Sequence, residues 1–158
     1  MAAASLVATA FGVIIILITA YIIAAGILGL ATSVAEAQKE VTALSIKASG
    51  TAIDIMESSG NETLYLVIKN KGSEPIDYTY MDVYLKDGND MPEYFSYPPT
   101  AAKRWTKVSI NPDRVYPGVW NPGENITISM NTGGKSYTWV QVTTSVGVSD
   151  STYLPVVP

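Results

Sequence analysis

Few side chains in this 158-residue chain could do chemistry, and their spacing limits what they can do. Histidine and cysteine are both absent. That removes the commonest general base, the commonest metal ligand, thiolate nucleophiles, disulfides and cysteine-ligated zinc. Carboxylates remain, but Asp54, Asp77, Asp82 and Glu93 are spread over different strand-like segments, with no paired arrangement readable from their spacing. Neither a glycine-rich phosphate loop nor a nucleophile elbow is present. Asp87-Gly88-Asn89-Asp90 places three oxygen-bearing side chains in four residues, as calcium loops do. It lacks the spaced ligands and terminal glutamate of an EF-hand, however, and reads as an Asp-Gly hairpin turn. The expectation is a chain that is not an enzyme, with no metal site, no cofactor and no small-molecule substrate.

What remains is recognition and modification. Ten tyrosines and three tryptophans stand against two phenylalanines, and Tyr78, Tyr80, Tyr84, Tyr94 and Tyr97 gather in one part of the chain. Tyrosine suits partly wet surfaces because its ring packs while its hydroxyl bonds. These five therefore form a candidate partner-binding face; the alternative is that several simply cover the faces of a sheet. Asn61-Glu62-Thr63 and Asn125-Ile126-Thr127 match N-glycosylation acceptors, which makes Asn61 and Asn125 candidate sites if the domain lies outside the cell. The net charge is −4, and no basic run is long enough to follow a phosphate backbone, which argues against nucleic acid as a partner.

The elements that hold these residues begin with a helix. Met1 to Ala35 contains no charged side chain, and twelve large apolar residues fall in the 20-residue window from Phe11 to Leu30. About 20 residues of helix cross a hydrocarbon core of roughly 30 Å, so a membrane is an expected partner. A secretory signal would show a basic n-region and a shorter apolar core. Ala20 and Ala24 stand four apart, as do Ala25 and Gly29, with Gly26 beside them. Small residues at this spacing let helix backbones approach closely, so the helix is expected either to anchor alone or to pack against copies of itself. Ser33 to Lys47 continues in a more polar helical pattern, and one helix is expected to about Ser45, ending at the Ser49-Gly50 break. The expected domains are 1–47, the helix with its polar extension, and 48–158.

From Thr51 onward the period is two. Ile53 and Ile55, then Leu64, Leu66 and Ile68, predict a hairpin around Ser58-Ser59-Gly60-Asn61. Ile76 to Lys86 predicts a strand with Met81, Val83 and Leu85 on one face. Met91 to Lys103, with Pro92, Pro98 and Pro99, predicts an edge segment or long loop. Arg104 to Ile110 predicts alternation through Trp105, Val108 and Ile110, and Asn125 to Met130 a strand with Ile126, Ile128 and Met130 on one face. Ser136 to about Val148 predicts one long final strand. Roughly seven short strands without intervening helices indicate an immunoglobulin-like antiparallel β-sandwich. The fold class is α+β: a long N-terminal hydrophobic helix followed by that sandwich.

With those elements in place, the chain resembles the archaeal type IV pilin-like superfamily of the archaellum. The resemblance lies in the charge-free N-terminal helix, its short polar extension and the single sandwich. It extends to the turn at Lys69-Asn70-Lys71-Gly72-Ser73 and to Trp120-Asn121-Pro122-Gly123-Glu124 leading into a strand, which look like the stator-type components F and G. The resemblance implies a structural component of archaeal motility at the cell envelope. Its helix would sit in the membrane or a filament core, and its extracellular sandwich would contact S-layer protein, other archaellum components or neighbouring subunits. The absence of a visible basic leader, and Ser5 where mature pilins often carry glutamate, point to the stator type. The alternative is a filament subunit of an archaellum or type IV pilus-like filament, a homo-oligomer held by its helices.

Overall fold

The structure, a computed structural model, describes residues 2–60, 62–88, 90–97 and 103–155, with side chains from Val7 onward. It divides into two compact units, Met1–Ala43 and Leu44–Pro158.

Helix α1 runs from Ala2 to Gly50 without interruption. No proline occurs within it, and isolated glycines cost only about 1 kcal/mol each in a helix, so Gly26 and Gly29 do not break it. It ends at the expected Ser49-Gly50 break, five residues past Ser45. The hydroxyls of Thr19, Thr32, Ser33 and Thr42 turn back to carbonyls three or four residues earlier, which satisfies them inside the helix. Every described side chain from Val7 to Lys47 is exposed except at Gly12.

The second unit is a sandwich of two four-stranded antiparallel sheets among the described residues. The strands are β1 (Ile53–Ser59), β2 (Thr63–Asn70), β3 (Asp82–Lys86), β4 (Glu93–Phe95), β5 (Trp105–Asn111), β6 (Asn125–Asn131), β7 (Trp139–Thr143) and β8 (Ser149–Tyr153). The sheet orders are β1-β2-β6-β5 and β4-β3-β7-β8. Leu64, Leu66 and Ile68 of β2 and Ile126, Ile128 and Met130 of β6 face Val83 and Leu85 of β3 and Val140 and Val142 of β7. Phe95, Trp105 and Trp120 complete the buried core. Alternation along β2, β3, β6 and β7 produces this arrangement directly, since successive strand residues point to opposite faces.

Three expectations need correction. The final strand is a hairpin, not one run: β7 ends at Thr143, Gly147 adopts a positive φ of 82° in the turn, and β8 returns beside β7. Val146 therefore lies in the connection rather than on the Val140 and Val142 face. Ile76 to Tyr80 is not strand; Ile76 makes an isolated bridge to Trp120, and Tyr78–Tyr80 is a 3-10 turn capped by the Asp77 carboxylate, which accepts from the Thr79 N–H at 3.0 Å. Val108 does not alternate with Trp105 and Ile110. It is the extra residue of a bulge in β5 and is exposed, as an inserted residue shifts its side chain off the buried face.

β1 is an edge strand with its own bulge between Ile55 and Glu57. The backbone N–H of Ile55 donates to the Asp150 carboxylate of β8 at 2.8 Å.

Candidate interaction surfaces

Where Leu44–Pro158 begins, the Lys69-Asn70-Lys71-Gly72-Ser73 turn and the Trp120-Asn121-Pro122-Gly123-Glu124 segment come together. Asn70 is fully buried. Its Oδ1 accepts from the Gly72 N–H at 3.0 Å, and its Nδ2 donates to the carbonyls of Glu74 at 2.9 Å and Trp120 at 3.3 Å. The turn so formed presents the N–H groups of Ser73 and Glu74 to the Gly50 carbonyl at 2.8 and 3.3 Å, satisfying one of the open carbonyls at a helix C-terminus. A Cβ on Gly72 would lie 2.3 Å from that same oxygen, so the close approach requires glycine. Trp120 Nε1 donates to the Glu124 carbonyl at 2.9 Å.

Glu124 organises the loop before β6. Its carboxylate is buried and accepts from the Asn121 backbone N–H at 2.9 Å, from Asn121 Nδ2 at 3.1 Å and from the Arg114 N–H at 3.4 Å. Burial alone would raise its pKa, but these donors outweigh it and hold the group below its usual value. Asn121 Nδ2 also donates to the Val115 and Val119 carbonyls, and the Gly118 N–H donates to the Asp113 carboxylate at 2.9 Å. The result is a pinned loop from which Val115, Tyr116 and Val119 project, Tyr116 being 75% exposed and at a left-handed φ of 51°. The spacing of Asp113, Asn121 and Glu124 was the available signal, and turn chemistry alone does not reveal it.

A second cluster centres on Glu93 of the edge strand β4. Its carboxylate takes Lys103 on one oxygen, Lys135 at 2.6 Å on the other and the Tyr137 hydroxyl at 2.7 Å. Lys103, then Lys135 and Tyr137, hold its pKa at about 2 against the usual 4.5. Burial and the same carboxylate push Tyr137 up. These three partners are distant in sequence, and no motif announces them.

The five tyrosines divide rather than forming one face. Tyr84 and Tyr94 are cross-strand neighbours on the outer side of β3 and β4, with ring centroids 5.4 Å apart. The Tyr94 hydroxyl donates to Asp82 at 2.7 Å, and that bond, followed by burial, pushes it up to about 12. Tyr78 and Tyr97 meet edge to face at 5.8 Å and pack, half-buried, against the core. Tyr97 also lies against Trp105, and Lys107 sits over Tyr78. Tyr80 is 70% exposed on the 3-10 turn.

Of the candidate glycosylation residues, Asn61 lies outside the described residues. Asn125 opens the internal strand β6, half-buried, and its Oδ1 is buried without a hydrogen-bond partner. Of the acidic turn, Asn89 lies outside the described residues; Asp90 N–H donates to the Asp87 carbonyl at 2.9 Å. No group of three potential ligands that could hold a metal occurs among the described residues. On α1, Ala20, Ala24, Ala25, Gly26 and Gly29 are all exposed, with open space where a Cβ would stand at Gly26 and Gly29.

The family described as archaeal-type flagellin matches residues 3–154 of this chain. Among solved structures, the archaellum periplasmic stator protein FlaG from Sulfolobus acidocaldarius is similar at 20% identity and a TM-score of 0.52, over 66% of this chain and 99% of that one. The complex of FlaF and FlaG from the same organism matches at 19% identity and a TM-score of 0.49, over 65% of this chain and 87% of that chain. At the identity of the FlaG match, the likeness establishes the fold. No curated protein matches.

Proposed function

The chain belongs to the archaeal-type flagellin family, and on that footing we propose that it is a filament subunit whose α1 packs with α1 of other copies while the sandwich forms the outer surface. It is an archaellum component of archaellin type, pilin-like in architecture and associated with the cell envelope. The observation that carries the proposal is the family match, which runs through helix and sandwich together from residue 3 to residue 154. Physical chemistry supplies the drive. A helix with Phe11, Ile15, Leu17, Ile22, Ile27 and Leu30 all exposed needs lipid or protein around it, and the small residues from Ala20 to Gly29 allow backbones to approach. Before assembly the membrane would cover the same surface, with the sandwich outside the cell.

Electron microscopy of purified full-length protein after detergent removal tests this. Long regular filaments are expected, lost in Gly29→Leu and kept in Ile15→Leu.

A stator-type role is the second reading, favoured by the exposed Tyr80 and by the Tyr84 and Tyr94 pair on the outer face of its sheet. It would bind S-layer protein through that surface, and no chemistry on substrates is involved in either case. Sandwich that captures S-layer protein, from a chain that forms no filaments, would make it the better account.

A further inference from the structure

The pinned loop from Arg114 to Val119 displays an aromatic and two aliphatic side chains to solvent, which is an unfavourable surface unless something covers it. Val115 is 57%, Tyr116 75% and Val119 40% exposed. Glu124, Asn121 and Asp113 fix its backbone through the hydrogen bonds described above, so little backbone ordering entropy remains to be lost on binding. Arg114 carries a guanidinium with no ion pair among the described residues.

A matching surface exists on the chain itself. In the polar part of α1, Val34, Ala37, Val41 and Leu44 recur at spacings of three and four, which puts them on one helical stripe. Val34, Val41 and Leu44 are each more than half exposed. Glu40 stands three residues after Ala37 and four before Leu44, so it borders that stripe, and Glu36 lies one turn before it. Neither glutamate is ion-paired among the described residues. This stretch lies beyond the Phe11 to Leu30 window, where lipid would provide a cover.

We infer that the Arg114–Val119 loop of one copy docks on the Val34, Val41 and Leu44 stripe of a second copy, with Tyr116 seated on the aliphatic side chains and Arg114 facing Glu40. The inference rests on the self-assembly reading, and it names a contact that α1 to α1 packing does not provide.

The chain has no cysteine, so engineered pairs report contacts cleanly. Differently tagged full-length chains carrying Tyr116→Cys and Val41→Cys are mixed, assembled and oxidised. Val108→Cys, exposed on β5, replaces Tyr116→Cys as control, and Val119→Cys serves as a second loop position should the first fold poorly. Cross-linked heterodimer at least tenfold above the control is expected. Arg114→Glu should raise the protein concentration needed for assembly about tenfold, the equivalent of about 1.4 kcal/mol, and adding Glu40→Lys should reverse part of that. Filaments that form normally while loop and stripe cross-link no better than the control would overturn the docking and leave the filament reading intact. Failure of the unmodified chain to assemble at all would remove both.

Discussion

Helix α1 and the sandwich place their apolar residues in opposite ways. In the sandwich, Leu66, Ile68, Val83, Leu85, Ile126, Ile128, Val140 and Val142 are fully buried against one another. In α1, residues of the same types, from Val7 to Leu30, are exposed almost without exception. At roughly 25 cal/mol per Å² of apolar surface, the first region gains its stability within one chain, whereas the second can gain it only from lipid or other copies. Folding, and the assembly proposed for this chain, thus draw on different segments of one polypeptide.

The sharpest break of that contrast is to separate the regions. The fragment 44–158 should stay folded and monomeric by circular dichroism and light scattering, while the full chain without detergent should be entirely oligomeric. A fragment that aggregates or unfolds would show that the sandwich depends on the helix. Next in size, Trp120→Ala should cost about 3–5 kcal/mol of sandwich stability by denaturant titration, because its ring is fully buried and a cavity remains. Ile15→Ala, at a residue 61% exposed in the single chain, should leave that titration unchanged and weaken assembly instead.

Gly72→Ala tests the point where the helix ends. With its Cβ 2.3 Å from the Gly50 carbonyl oxygen, it should cost roughly 1–3 kcal/mol, as overpacked sites do. Gly88→Ala meets open space but keeps a left-handed φ of 48°, so it should cost less, about 1 kcal/mol. The smallest effect concerns acid. Glu93 is depressed to about 2 from 4.5, so its contribution is present above about pH 4.5 and is lost as pH falls through about 2. Glu93→Gln should therefore lower melting stability at pH 6 by roughly 1 kcal/mol, a value kept small by the half-exposed lysines, and should matter little below pH 2.

Period and turn chemistry made much of this fold legible. The uncharged run to Ala35 announced α1, and two-residue alternation announced β2, β3 and β6, where one face is buried and the other wet. Legibility failed where a local irregularity interrupts the period. Val108 reads as a core position only if the bulge is ignored, and Ser145 to Val148 reads as strand because valine favours strands even where Gly147 turns the chain. The tyrosines illustrate a second limit. Their clustering in sequence was visible, but Tyr78 and Tyr97 turn toward the core while Tyr84 and Tyr94 turn outward, a division set by strand register and by the 3-10 turn. Glu93 with Lys103, Lys135 and Tyr137 is a constellation assembled from separate parts of the chain, and pattern reading has no handle on it.

The bond from the Ile55 N–H to Asp150 bears on how such a chain avoids the wrong polymer. An edge strand with free amides invites β-addition by another chain and, in crowded conditions, amyloid-like growth. On β1 one of those amides is engaged by a carboxylate, and Met56 bulges the strand beside it. An incoming strand would have to displace a charged acceptor and match a distorted register. The sandwich is in this way discouraged from sheet-to-sheet fibrillisation at the high local concentrations that the proposed helix-driven polymerisation would create.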